Sequence, residues 1–143
     1  MIAVDASFPR GVRVLAAGDF ARVFAARRSA AAGALVLYGC PAAAGSTTTR
    51  IGLSVSRRVG NAVIRNRWKR RLREAFRAVR PRLPAGNDFV IVVRPGPVPG
   101  GAAGARAVED AIVELAGRIV HRPGYGAAAA RPAAAHQGRR RGS

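Results

Sequence analysis

Apolar positions along the chain follow two rhythms, and the rhythms divide it into elements. In "GDFARVFAARR" Phe20, Val23 and Phe24 fall at i, i+3 and i+4. That spacing predicts a short helix with one aromatic face, and Asp19 stands where an N-cap belongs. "ALVLYGC" (34–40) is short, apolar and bounded by Gly33 and Pro41, which reads as a strand. "PAAAGSTTT" (41–49) is a loop. "RIGLSVS" (50–56) alternates: Ile51, Leu53 and Val55 point one way, Gly52, Ser54 and Ser56 the other. The first face is core. The second is small and polar, which fits room left for a ligand and fits a plain solvated sheet face equally well.

The rhythm then changes to four. In "VGNAVIRNRWKRRLREAFR" (59–77) Ile64, Trp68, Leu72 and Phe76 recur at every fourth position. Asn61 can cap a helix that starts at Ala62, and Pro81 disfavours helix at residue 80, so the helix runs to about Val79. At about 100° per residue, Ile64, Ala75, Trp68, Val79, Leu72 and Phe76 share an arc of roughly 120°. "PRLPAGN" is a turn, and "DFVIVVR" (88–94) is a continuous apolar run that predicts a central strand. "PGPVPGGAAG" (95–104) is a connector whose spacing matches neither a phosphate loop nor a dinucleotide-binding turn. Over 105–121, Val108, Ile112, Leu115 and Ile119 form one face, with Arg106/Asp110 and Glu114/Arg118 paired outside it.

Residues 1–18 read as an irregular lead-in. Residues 122–143 are mostly Gly, Ala, Pro and Arg, with almost no large apolar residue to offset ordering, which predicts a disordered basic tail. Between them lies one α+β domain (19–121), a small sheet against helices in the order α-β-β-α-β-α. No internal repeat is visible.

Charge changes the meaning of the middle helix. The chain of 143 residues carries 25 basic and 7 acidic side chains, a net +18, and all the basic ones but Lys69 are arginine. Such an excess repels itself, and a polyanionic partner is the natural reason to keep it. Arginine suits phosphate because its planar fork makes two hydrogen bonds at once. Around the apolar arc of the middle helix lie Lys69, Arg73, Asn66, Arg77, Arg70, Arg67 and Arg71. Arg65 falls at the edge of the arc beside Phe76 and must reach outward. Glu74 is the only acid, so internal pairing cannot neutralise the helix. A face built only for solubility would mix signs. No helix-turn-helix partner and no heptads accompany the helix, which favours RNA over DNA.

Other chemistries find little support. Cys40 is the only cysteine, so neither an intramolecular disulfide nor a cysteine-based zinc site is possible, and a buried thiol in a reduced compartment is expected. The start lacks a signal pattern, and no run approaches the ~20 apolar residues of a membrane span, so a cytoplasmic protein with no membrane partner is expected. A protein nuclease needs a general base and clustered carboxylates. The acids are Asp5, Asp19, Glu74, Asp88, Glu109, Asp110 and Glu114, of which only Glu109 and Asp110 are adjacent, on different parts of a helix surface. His121 and His136 lie at or beyond the domain's end. No catalytic residue and no protein metal site is predicted.

The stretch "RIGLSVSRRVGNAVIRNRWKRRLREAFR" (50–77) resembles the signature region of the bacterial ribonuclease P protein component, with "RNR" at Arg65, Asn66 and Arg67 at its centre. "DFARVF" (19–24), "LVLY" (35–38) and "GNDFVIVVRPG" (86–96) extend the likeness in order. The resemblance implies an α+β fold with a left-handed βαβ crossover, shared with the second domain of a small-subunit ribosomal protein. It implies a protein subunit of a ribonucleoprotein that removes the 5′ leader from precursor tRNA, with the RNA subunit performing the hydrolysis on bound Mg²⁺. The implied partners are the catalytic RNA and precursor tRNA, with no obligate protein partner. By the same resemblance Arg65, Asn66, Arg67, Lys69, Arg70 and Arg73 face the catalytic RNA. Phe20, Phe24, Tyr38 and Ser54 line a leader cleft, with Arg57 and Arg58 at its basic edge. Trp68 departs from the family's usual aliphatic residue. The lead-in carries only Arg10 and Arg13, fewer charges than the family's basic arm. "GRRRG" near the end lies outside the resemblance and reads as a nonspecific tether. The alternative is an RNA-binding ribosomal or assembly protein with no link to cleavage.

Overall fold

The computed structural model describes residues 17–42 and 46–125. The elements are α1 (Ala17–Ala25), β1 (Ser29–Ala32), β2 (Leu35–Pro41), β3 (Arg50–Val55), a 3-10 turn (Arg57–Val59), α2 (Ala62–Val79), β4 (Asn87–Val93) and α3 (Gly101–Val120). The strands form one sheet in the order β1-β2-β4-β3. β2 pairs antiparallel with β1 and β4, and β3 pairs parallel with β4. The α+β class of the sequence reading holds, with one strand added.

That strand is β1. Its sequence, SAAA, has no β-branched or aromatic residue to announce it. It exists because Ala32 pairs with Leu35 across a two-residue loop, and Gly33 has φ 56°. A glycine with positive φ at the first loop position is what a tight hairpin of this twist requires. β2 and β4 then supply the long central pairing, from Leu35↔Val93 to Pro41↔Asn87.

Alternation sorts the sheet into two faces. Leu35, Leu37, Ile51, Phe89, Ile91 and Val93 meet Trp68, Leu72 and Phe76 of α2 and Val108, Ile112, Leu115 and Ile119 of α3 in the main core. Val23 of α1 packs with Cys40 and Val90 on the opposite face. The helices therefore lie in two layers, α2 and α3 on one side and α1 on the other.

The β3–α2–β4 unit has the unusual hand. Arg94 N–H donates to Ala34 O on the β2 side. Asn87 N–H donates to Thr49 Oγ1 on the β3 side. Odd-numbered residues of β4 thus turn their backbone toward β3, and Phe89, Ile91 and Val93 also face the α2/α3 layer. For L-residues seen from that layer with β4 pointing up, β3 lies to the right. The chain passes from β3 through α2 to β4, right to left, so the crossover is left-handed, against the general rule.

α2 starts and stops where the sequence places it. Asn61 Oδ1 accepts from Ile64 N–H at 3.0 Å, capping the helix. Three readings need correction. Asp19 lies inside the first turn of α1 rather than before it, because the helix already includes Ala17; its carboxylate meets Arg50 at 3.2 Å. α3 begins at Gly101, four residues earlier than its apolar stripe suggests. Gly104 is buried there with Pro99 packed on it: an added Cβ would meet the Pro99 carbonyl carbon at 2.6 Å. Tyr125, assigned by the sequence to the tail, is 7% exposed and donates its hydroxyl to Asn87 Oδ1 at 2.7 Å. The folded part therefore continues past residue 121. The lead-in before residue 17 and the tail from 126 lie outside the described residues. Among those described, no helix is long and apolar enough to cross a membrane.

Candidate RNA interface

Two surfaces carry the sequence-predicted site residues, one on each side of the sheet. The first is the outer face of α2. Its inner face buries Trp68, Leu72, Ala75, Phe76 and Val79, which turns the charged positions outward or onto the flanks. Asn66, Arg67 and Arg70 are exposed, while Lys69 and Arg73 are half-buried along the flanks. Arg70 Nε donates to Glu74 Oε2 at 3.2 Å. Glu74 is the only acid of α2, so the surface stays strongly positive. Arg67, Arg70, Arg71 and Glu74 face Val98, Pro99 and Gly100 across a shallow depression of about 360 Å³.

Arg65 behaves differently from Arg67. Consecutive helix residues diverge by about 100°, so Arg65 and Arg67 point roughly 200° apart. Arg65 is half-buried and donates Nη1 to Gly60 O at 3.1 Å, bracing the turn that enters the helix. The three RNR residues therefore do not share one face.

The second surface is the sheet face beneath α1. Phe24, 37% exposed, meets Tyr38 edge-on with ring centroids 4.8 Å apart, and Phe20 lies 6.4 Å from Phe24. The three aromatics predicted from sequence thus form one group. Ser54 lies on the same sheet face, beyond Val90 and Val92 of β4, and pairs in register with Val92. Arg57 and Arg58 follow at the end of β3, exposed.

Phe20 is held by an absence. A Cβ on Gly52 would stand 2.5 Å from Phe20 Cζ, so the ring rests directly on the β3 backbone. Gly52→Ala is expected to displace that ring and lower stability by about 1–3 kcal/mol, the usual size of an overpacking strain. A urea midpoint equal to that of the unaltered chain would show that the contact is loose.

Beside these aromatics, α1 also takes part in an ion cluster that sequence reading missed. Asp88, the second residue of β4, is fully buried. Arg50 donates to both of its oxygens, at 3.0 and 2.8 Å, and Arg22 Nη2 pairs with it as well. Arg22 Nη1 also donates to Pro41 O and Cys40 Sγ, each at 3.0 Å. Asp19 joins Arg50 at 3.2 Å and Arg22 at 3.5 Å. Hydrogen bonding to Asp88 holds the Arg50 guanidinium above its ordinary pKa. For Arg22 burial works to lower the value, and Cys40, Asp88 and Asp19 outweigh it. Burial pushes the Cys40 thiol up to about 11 against the pull of Arg22, so it is neutral at pH 7. The signal in the sequence was an acid at the head of an apolar run, since a buried carboxylate demands a partner. Among the described residues no group of three His, Cys, Asp or Glu lies together to hold a metal ion.

A basic helix on one side of the sheet and an aromatic face on the other are joined through a left-handed parallel unit. The family model for Ribonuclease P matches residues 8–119. The chain belongs to the Ribonuclease P family. It is similar to the ribonuclease P protein component of Xanthomonas axonopodis pv. citri, 40% identical over 118 residues that make up 82% of this chain and 74% of that protein. The likeness to the ribonuclease P protein component of Brevibacillus brevis is 45% over 78 residues, or 54% of this chain and 61% of the relative. The match to the same component in Paramagnetospirillum magneticum is 46% and takes in 60% of it, so the chain spans about three-fifths of these two relatives. Among solved structures, the RNase P protein of Thermotoga maritima is 26% identical with a TM-score of 0.59, covering 75% of this chain and 96% of that one. A Staphylococcus aureus RNase P protein mutant gives 0.60 at 24% identity, with 80% and 93% covered, and speaks for the fold alone.

Proposed function

We propose that the chain is the protein subunit of ribonuclease P and holds two RNA segments at once. The observation that carries this reading is the placement of its two candidate surfaces on opposite sides of one sheet. α2 binds the RNA subunit through Asn66, Arg67, Lys69, Arg70 and Arg73, with Arg65 adding its remaining donors while bracing Gly60. The single-stranded 5′ leader of precursor tRNA lies along the sheet beside α1. There Phe24 and Tyr38 stack bases, Phe20 and Ser54 line the path, and Arg57 and Arg58 meet phosphates. Tyr38 suits this position because its ring is apolar and its hydroxyl seeks a wet end. Hydrolysis of the phosphodiester bond belongs to the RNA subunit with Mg²⁺ held by RNA. Asp19 and Asp88 are bound to arginines, and Glu74 is paired with Arg70. What the chain supplies is positive charge and a track that orients the leader. Such a protein works in the cytoplasm with its RNA.

The test is reconstitution. The purified chain is mixed with a bacterial ribonuclease P RNA at low Mg²⁺, where the RNA alone is poor, and leader release from precursor tRNA is followed. Strong stimulation that requires the RNA is expected. Cleavage by the chain alone would move catalysis to the protein. No stimulation by a folded chain that still binds RNA would favour a ribosomal or assembly role. In the reconstituted enzyme Tyr38→Ala should weaken precursor binding by about tenfold, the worth of one stacked base, and leave mature tRNA binding nearly unchanged. Equal losses for both would remove the leader from this face.

A further inference from the structure

We propose that Asp19, Arg22, Arg50 and Asp88 act together as positioning residues for the leader: they fix α1 over the sheet and so set the gap between its aromatics and the sheet floor. The inference rests on the two-surface reading above and goes beyond it, because none of the four touches the leader in that reading.

Apart from these four residues, α1 has few fully buried contacts with the sheet. It has nine residues, and only Val23 is buried. A helix so short has no stability of its own in water. Its fully buried footing on the sheet is Val23 against Cys40 and Val90, with Phe20 and Ala26 packed partly buried around it. Direction must come from polar contacts, and these reach three strands. Arg22 joins β4 through Asp88 and β2 through Pro41 O. Asp19 joins β3 through Arg50. The Asp19–Arg50 contact and the seat of Phe20 on Gly52 are successive rungs on one face of β3. A shift at the first rung lifts Phe20 from the second and turns Phe24 away from Tyr38.

The cluster does not recruit phosphate itself. The two arginines and two aspartates of the cluster balance in formal charge, while Arg57 and Arg58 at the far end of β3 form no ion pair among the described residues. α2 packs on the other side of the sheet, so its RNA contact does not depend on where α1 sits. The two RNA surfaces should therefore respond separately to the cluster.

The experiment uses the enzyme reconstituted with a bacterial ribonuclease P RNA and measures three affinities: precursor tRNA, mature tRNA and the RNA subunit. Asp19→Asn is the main variant, since Asp19 is partly exposed and its loss leaves the Arg22–Asp88–Arg50 links in place. Precursor affinity is expected to fall about five- to tenfold, the size of one charge-assisted contact. Mature tRNA and RNA-subunit affinities should stay within about twofold of the unaltered chain. The sign is informative, because removing an acid raises the net charge and by itself favours RNA. Asp88→Asn should show a larger loss with the same selectivity; if it fails to fold, Asp19→Asn decides alone. Equal losses for both tRNAs, or no loss in folded Asp19→Asn, would overturn the positioning role. An unaltered chain with no preference for precursor over mature tRNA would overturn the subunit reading instead.

Discussion

Truncating Trp68 to alanine is expected to destabilise the domain by about 3–5 kcal/mol. The indole is 1% exposed at the centre of the inner face of α2. It shares one core with Leu72 and Phe76 of its own helix, Phe89 and Ile91 of the sheet, and Leu115 of α3. Alanine there opens a cavity at the junction of three elements. It also strips Gly96 O of the indole N–H, which reaches it at 3.4 Å and pins the β4–α3 connector. A small domain holds only about 5–15 kcal/mol in all, so this change brings it near the edge of folding. Trp68→Phe separates the two effects: most of the volume stays and the hydrogen bond goes, for a loss of about 1 kcal/mol plus a little packing. Urea unfolding followed by far-ultraviolet circular dichroism is the measurement, because Trp68 is the only tryptophan and its fluorescence is lost with it. A loss under about 1 kcal/mol for the alanine variant would mean that the site collapses around the gap.

α2 was legible to the residue because every local signal agreed. The four-residue rhythm, the Asn61 cap and Pro81 all point to the same span, and local consistency is what makes a sequence readable. β3 and β4 were legible for the same reason. β1 was not, since its four small residues are a strand only through their pairing with β2. The first turn of α3 is Gly-Ala-Ala-Gly, a poor helix former held in place by Pro99 lying on Gly104. Asp19 looked like a cap because local rules see three or four neighbours; its partner Arg50 lies 31 positions away in sequence. Tyr125 was lost in a run of Gly, Pro and Arg, where one aromatic suffices to bring the segment after α3 back to Asn87. The hand of the crossover came from family resemblance, since no periodicity encodes it.

The candidate surfaces divide in the same way. Positive charge is a property of composition and was visible at once. The contact of Phe24 with Tyr38 and the seat of Phe20 on Gly52 depend on α1 crossing the sheet at one place. That place is set by the ion cluster, which joins residues from α1, β3 and β4. The two surfaces are also joined covalently by the short link 56–61. It carries Arg57 and Arg58, then Gly60 at φ 156°, where a Cβ would come within 2.9 Å of Ile64 Cβ. Glycine there lets the chain turn tightly from the sheet into α2, and Arg65 holds the Gly60 carbonyl from the helix side.

Removing Arg67 and Arg73 together is expected to weaken binding of a bacterial ribonuclease P RNA by about a hundredfold or more, since each charge-assisted phosphate contact is worth about 1.5–3 kcal/mol. Neither change should harm folding, because both guanidinium groups lie off the buried stripe of α2. The salt dependence gives the stricter test. Each phosphate contact adds about one unit to the slope of log K against log salt, so the double variant should lose about two units. Arg118→Ala on α3 removes one positive charge elsewhere and should change the slope by less than one unit. Glu74→Gln tests the sign of the argument. It abolishes the only negative charge on α2 and releases Arg70 from its 3.2 Å contact. That exposed pair holds Arg70 by only a few tenths of a kcal/mol, about 0.3–0.5, so its loss should not unfold the helix. RNA affinity should rise a few-fold. A double variant with unchanged slope, or a Glu74→Gln variant that binds more weakly, would place the RNA contact on some other face of the protein.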